Sequence, residues 1–312
     1  MATKVNPVTG ALDYYEQALP PFRNKIYNGA MQIAQRGTSF STVNLVGSSF
    51  PYNLDRFCTG RANVVHNGHC TISQITGGGQ KHQITQASGT ALDGGEYFSI
   101  RQHIEGLNCF DLAGKQATLS FKVKTNKAGN YGVSFYDGTG SATITPQSIT
   151  VSTADASAAN KVSYTKTFTM PSSITADNAS RLRLDICLAA HSNRAGEYFP
   201  TGGTQVDLFD STSNYFEIYE IQLEEGTVST PFEHRAHGLE KSLCQRYFMK
   251  VDGRAIAYRR DDTLCTCFMT LPQCMRLKTP VLRNITKGIL TNMQSQPSVS
   301  YTHLTLPTIY SV

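Results

Sequence analysis

No tryptophan occurs among the 312 residues, so tyrosine and phenylalanine, 15 of each, are the large aromatics left for packing or recognition. Charge is scarce as well. Asp, Glu, Lys and Arg make up 16% of the chain, against about 25% in ordinary soluble domains, and Gly, Ser and Thr take their place, as in turn-rich all-β proteins. The net charge of +5 is spread without clusters, which argues against the basic footprint of a nucleic-acid-binding surface. No run of about 18 apolar residues is present, so no membrane insertion is expected. The opening MATKVNPVTGALDYYEQ lacks the apolar core of a secretory leader. Without a leader, the eight cysteines (Cys58, Cys70, Cys109, Cys187, Cys244, Cys265, Cys267 and Cys274) read as reduced thiols rather than a disulfide frame. No repeat of about 20–50 residues is visible, which argues against a propeller or solenoid.

Motifs for catalysis are missing too. Gly47-Ser48-Ser49 is not the G-x-S-x-G of a nucleophile elbow. Gly77-Gly78-Gly79-Gln80-Lys81 lacks the length and trailing Ser or Thr of a phosphate-cradling loop. His66, His69 and Cys70 lie close in sequence, as do Cys265, Cys267 and Cys274, but neither group has the paired C-x₂₋₄-C spacing of structural zinc. The first reads as a polar loop and the second as alternate positions of a strand. The expectation is a non-enzymatic protein with no catalytic residue, no metal and no cofactor.

What is present is alternation. From Thr71 to Leu223 short apolar runs of period two are divided by Gly, Asn, Asp and Ser. Phe98, Ile100 and Ile104 share a face; so do Leu119, Phe121 and Val123, with Ser120, Lys122 and Lys124 opposite. Tyr131, Val133 and Phe135 repeat the pattern, and Leu182, Leu184, Ile186 and Leu188 give its clearest instance. Many half-buried strands are best satisfied by two antiparallel sheets packed face to face, so the predicted fold is all-β, an antiparallel β-sandwich or jelly roll. In Tyr215–Met249 the period changes from two, with Tyr219, Ile221 and Leu223 on one face, to helical spacing at Leu239, Leu243 and Tyr247. Gly226 and Pro231 stand between. The predicted order is a flexible lead-in at 1–21, a jelly roll at 22–235 beginning with a strand over Ile26–Ile33, a connecting helix at 236–250, and a truncated small β region at 251–298. The Ala- and Ser-rich stretch Ser152–Asn160 is compatible with a loop or a turn of helix.

Three linked motifs carry a family resemblance. Gln222-Leu223-Glu224-Glu225-Gly226, Thr230-Pro231-Phe232-Glu233-His234-Arg235 and Leu243-Cys244-Gln245-Arg246-Tyr247-Phe248 resemble a signature of virion-associated and tail-fibre proteins of tailed bacteriophages and prophages. Asn28-Gly29, Met31, Gln35-Arg36-Gly37-Thr38 and Asp55-Arg56-Phe57 resemble the opening of the same family, with Phe57 where the family usually has Trp. Pro272, Met275-Arg276 and Pro280 echo a segment that follows the helix there. The resemblance implies a jelly roll like those of carbohydrate-binding modules, made in the bacterial host cytoplasm and used on the virion for adhesion to host cell-surface glycan. Its implied partners are other virion proteins and further copies of itself, in a homo-oligomer of three or more chains whose avidity offsets weak single contacts. In such modules a Glu after the "NG" often helps hold calcium. Gln32 stands nearest that place here, and a neutral amide is a weaker ligand for a hard cation. Val299–Val312 resembles an in-frame translation of a sequencing adapter.

Within that reading the candidate glycan-binding residues are Tyr97, Tyr131, Tyr136 and Tyr198, joined by Tyr215, because they lie at strand ends or beside Gly-rich loops. The motif residues Gln35, Arg36, Asp55, Arg56, Gln222, Glu224 and Arg246 read as structural. An Arg paired with Asp55 through two parallel hydrogen bonds would pin the first strand, and Gln222 and Glu224 would satisfy backbone groups at the end of the last. Two alternatives stand beside adhesion: a carbohydrate-binding module of a bacterial glycan-active protein, and an architectural virion decoration domain with no ligand.

Overall fold

The computed structural model describes residues 2–5, 12–15, 22–41, 51–62, 68–89, 91–138, 144–250, 257–259, 265–267 and 275–276. The predicted sandwich is present. In chain order the strands are β1 (Ala2–Val5), β2 (Leu12–Tyr15), β3 (Ser39–Ser41), β4 (Phe57–Ala62), β5 (His69–Gln74), β6 (Gln80–Gln86), β7 (Tyr97–Glu105), β8 (Gln116–Thr125), β9 (Gly129–Asp137), β10 (Gln147–Val151), β11 (Val162–Thr169), β12 (Ser180–Ala190), β13 (Tyr215–Glu225), β14 (Ala257–Arg259) and β15 (Cys265–Cys267). A five-stranded sheet runs β10-β9-β12-β7-β4 and a six-stranded sheet runs β11-β8-β13-β6-β5-β3. Every pairing in both is antiparallel. Within the expected lead-in β1 pairs with β2, and within the expected C-terminal region β14 pairs with β15. The tail at 299–312 lies outside the described residues.

The alternating runs supply the core. Leu182, Leu184, Ile186 and Leu188 of β12 and Val133 and Phe135 of β9 face Leu119, Phe121 and Val123 of β8 and Phe216 and Ile218 of β13, all buried. Phe135 meets Phe168 edge-on at 5.0 Å across the two sheets, and Tyr131 meets Phe216 at 5.0 Å. Each such side chain contributes about 1.5–3 kcal/mol by leaving water.

Three local expectations are corrected. Ile26–Ile33 forms turns rather than a strand, because Asn28 and Met31 take φ of 58° and 56°. Asn28-Gly29 therefore acts as the turn dipeptide its chemistry favours. In β13, Tyr219 does not share a face with Ile221 and Leu223. A bulge between Tyr219 and Gln222, with Glu220 at φ 52°, shifts the phase by one, so Ile218, Ile221 and Leu223 point inward. The helix α2 spans His237–Gln245 and turns Glu240 and Cys244 inward, leaving Leu239 41% exposed. The open question at Ser152–Asn160 resolves to one helical turn, α1 (Thr153–Ala156), closed by a Ser152–Asp155 capping box and followed by a loop. The five cysteines with described side chains, Cys58, Cys70, Cys109, Cys187 and Cys244, are buried and free, and burial pushes the Cys58 thiol up to about 12.

Candidate functional site

The motif residues, far apart in sequence, converge on one corner and lock the first segment against the last. Glu233 accepts hydrogen bonds from the backbone N–H groups of Phe22 (2.6 Å) and Asn24 (2.8 Å). Arg23 donates to Thr230 Oγ1 at 2.9 Å and Pro231 O at 2.5 Å, while Arg235 donates to Asn24 O. Gln222 accepts from Glu233 N at 2.8 Å and donates to Glu224 at 2.9 Å; Glu224 in turn accepts from Thr230 N at 2.7 Å. Asp55 is gripped by Gln35, through backbone N at 2.6 Å and side-chain Nε2 at 2.8 Å.

That grip replaces the expected twofold Arg pairing. Arg36 stays 3.6 Å from Asp55 and lies over the Phe248 ring, also at 3.6 Å, and Arg56 donates to His103 O while stacking 3.4 Å from the Tyr247 ring centroid. The aromatic pair Tyr247-Phe248 already occupies the two guanidinium faces. Arg246 binds both oxygens of the buried Glu105 at 2.7 and 3.2 Å. A cavity of about 20 Å³, the size of one water, lies in this corner between Asn24, Asn28, Gln32, Glu233, Arg235 and Glu240. It is too small to admit a sugar.

The four candidate tyrosines are not exposed stacking platforms. Tyr131 is 0% exposed and belongs to the core, its hydroxyl donating to Lys127 O at 2.8 Å. Tyr97, Tyr136 and Tyr198 are 5%, 6% and 3% exposed, yet the structure gathers these three on the outer face of the five-stranded sheet. Tyr97 and Tyr198 stack at 4.1 Å, and Tyr136 lies 5.7 Å from Tyr198. Tyr215 sits elsewhere, half-buried on the six-stranded sheet with Lys81 4.9 Å from its ring.

Around these rings is a polar grid that sequence reading missed. The register places Ser134, Asp185 and Arg101 in one row across β9, β12 and β7, and Tyr136, Arg183 and His103 in the next. Their neighbours Val133, Phe135, Leu184 and Ile186 fill the core, so strand alternation sends the grid outward. Asp185, 0% exposed, accepts from Arg101 Nε (2.7 Å), Ser99 Oγ (2.5 Å) and Arg183 Nε (2.7 Å). Arg101 also donates to the hydroxyls of Tyr97 (3.2 Å) and Tyr198 (3.3 Å). Burial opposes the Arg101 charge, but the adjoining Asp185 carboxylate outweighs it and holds the guanidinium more firmly protonated than usual. Burial, with the Arg101 charge adding, pulls His103 down to about 4, so its imidazole is neutral near pH 7. The Arg183 guanidinium lies 3.6 Å from the Tyr136 ring centroid.

The cover over the grid is the segment 191–206, which carries Tyr198. It is tied down by Arg194 Nε to Gly95 O (2.8 Å), by Gly132 N to Gln205 Oε1 (2.8 Å) and by Val206 N to Asn130 O (2.9 Å). Gly132 permits the approach, because a Cβ there would stand 2.1 Å from Tyr198 O. That glycine inside the strand GNYGVSFYD was the available signal that another backbone crosses here.

Among the described residues no three His, Cys, Asp or Glu side chains come together as a metal site, and no helix is long and apolar enough to cross a membrane. No protein-family model matches the chain, and no curated protein matches it. Solved structures similar to it include a CBM4 domain, at 14% identity over 64% of this chain and 99% of that one, with a TM-score of 0.39. Another is the N-terminal cellulose-binding domain of Cellulomonas fimi β-1,4-glucanase C, at 11% identity over 61% and 96% with a TM-score of 0.32. A third is the enzymatically active domain of bacteriophage CBA120 tailspike protein 4, at 12% identity over 66% of this chain and 22% of that one, with a TM-score of 0.30. The sandwich itself is shown by the two antiparallel sheets described above.

Proposed function

We propose that the chain is a non-enzymatic glycan-binding protein of a phage virion, adhering to host cell-surface sugar through the outer face of its five-stranded sheet. The observation that carries this reading is the grid itself. Arg183, the part-exposed member, rests on Tyr136 and is held by the buried Asp185 on the outer face of the five-stranded sheet. A guanidinium braced on an aromatic ring and fixed by a carboxylate behind it offers oriented donors of the kind that sugar oxygens accept from. The motif corner holds the ends of the sandwich together. The virion assignment rests on the motif resemblance, and assembly into a homo-oligomer would multiply weak contacts.

Two measurements test the proposal. Purified protein on a glycan array should bind a restricted set of sugars, and mass spectrometry of purified particles should find the chain; absence from virions removes the phage assignment. The burial of Tyr97, Tyr131, Tyr136 and Tyr198 favours a second reading, an architectural domain whose tyrosines only dock segment 191–206. Host adsorption unaffected by Tyr136→Ala would support it.

A further inference from the structure

Arg183 is the cation of the grid that reaches solvent. Its side chain is 20% exposed, against 1% for Arg101. It gives Asp185 only its Nε hydrogen, and its two terminal amino groups have no partner among the described residues. Tyr136 directly across the ladder supports the guanidinium plane at 3.6 Å. One row away the hydroxyl of Ser134, opposite Asp185, is buried with no hydrogen-bond partner.

The charge of the grid does not balance. Arg101 and Arg183 carry two positive charges against the single negative charge of Asp185, and His103, held neutral by burial, adds none. The flanking pair Arg194–Glu197, at 2.9 Å, cancels internally. The excess positive charge therefore sits on the one guanidinium with donors to spare.

We infer, building on the glycan-binding reading, that the preferred ligand is an acidic sugar, a uronic acid whose carboxylate is held by the two free amino groups of Arg183. The planar fork matches a carboxylate through two parallel hydrogen bonds. Asp185, buried behind the guanidinium, holds its Nε and fixes the direction of the fork.

The test uses the full chain and a panel of uronic-acid hexasaccharides (oligogalacturonate, oligoguluronate and hyaluronate), each paired with its methyl ester, which keeps the sugar and removes the charge. Titration calorimetry should show at least one acid form bound about tenfold or more tighter than its ester, with the difference shrinking as salt rises. Arg183→Gln should erase the preference and Arg183→Lys should keep part of it, with melting curves confirming that both fold. Equal binding of acid and ester, or binding to neutral sugars alone on an array, overturns the acidic-ligand inference and leaves glycan binding standing. Binding to no sugar overturns both. The acid-to-ester ratio of the wild-type chain decides the matter even if the variants do not fold.

Discussion

Acidification should weaken this fold through one buried imidazole, and the size of the effect follows from where it sits. His82 of β6 is 0% exposed, with Phe98 edge-on at 6.0 Å, Gln80 Nε2 3.1 Å from its Nε2 and the Cys70 thiol 3.9 Å from its Nδ1. No carboxylate is among these contacts, so burial alone pulls its pKa to about 3. The unfolded chain takes up a proton near pH 6.5, whereas the folded protein does not until about 3. The unfolded state therefore binds more protons throughout that window, and stability rises with pH across it. Stability is lost as pH falls below about 6.5 and the loss levels off near 3. Between pH 7.5 and 4.5 this one group should remove about 2.5 kcal/mol.

His103, pulled to about 4, acts in the same direction, so the informative quantity is a difference between proteins. His82→Gln keeps a polar side chain able to accept from Gln80 and removes the titration. Urea unfolding of both proteins at the two pH values should show the variant losing about 2.5 kcal/mol less than wild type on acidification. An identical loss in both would refute the assignment of His82 as a buried neutral group.

Other consequences are open to direct measurement. Asp185→Asn leaves Arg101 buried without its counter-charge and should cost about 3–5 kcal/mol in urea unfolding; a cost under about 1 kcal/mol would mean the pair is solvated. Gly132→Ala places a methyl 2.1 Å from Tyr198 O, so the crossing segment must lift. Destabilisation of about 1–3 kcal/mol with new protease cleavage between residues 191 and 206 is expected, and unchanged melting would contradict it. Glu233→Ala removes the acceptor for Phe22 and Asn24 N–H and should cost about 1–3 kcal/mol, with faster amide exchange at Asn24; slow exchange there would show that another group holds the corner.

The sandwich was legible because β-strands encode burial with period two, and Leu182–Leu188, Tyr131–Phe135 and Leu119–Val123 keep that period without interruption. It failed where one residue breaks phase. The bulge at Glu220 turned Tyr219 away from its expected neighbours, and no residue type in that run announces a positive φ. Helix α2 was visible as a period but not as a face, since the side that packs carries Glu240, bonded to Asn28 N, and Cys244 rather than its leucines.

The candidate site was half legible. Tyr97, Tyr136 and Tyr198 do meet, but the polar residues between them come from three strands whose register only pairing reveals. Their burial depends on a distant segment docking across Gly132. Among the motif residues, Gln222 and Glu224 bind backbone groups of the turn just after the last strand, within reach of sequence reasoning, whereas Glu233 binds the backbone of Asn24, far from it in sequence.

Glycan binding, as proposed, places sugar on the outer face of the five-stranded sheet. Amide chemical-shift mapping, as an acidic hexasaccharide is titrated into isotopically labelled protein, examines that face residue by residue. The largest shifts should fall on Ser134–Tyr136, Arg183–Asp185 and Arg101–His103, with secondary shifts in 191–206. Shifts confined to the six-stranded sheet or the motif corner, or no shifts with any sugar of the panel, would contradict it.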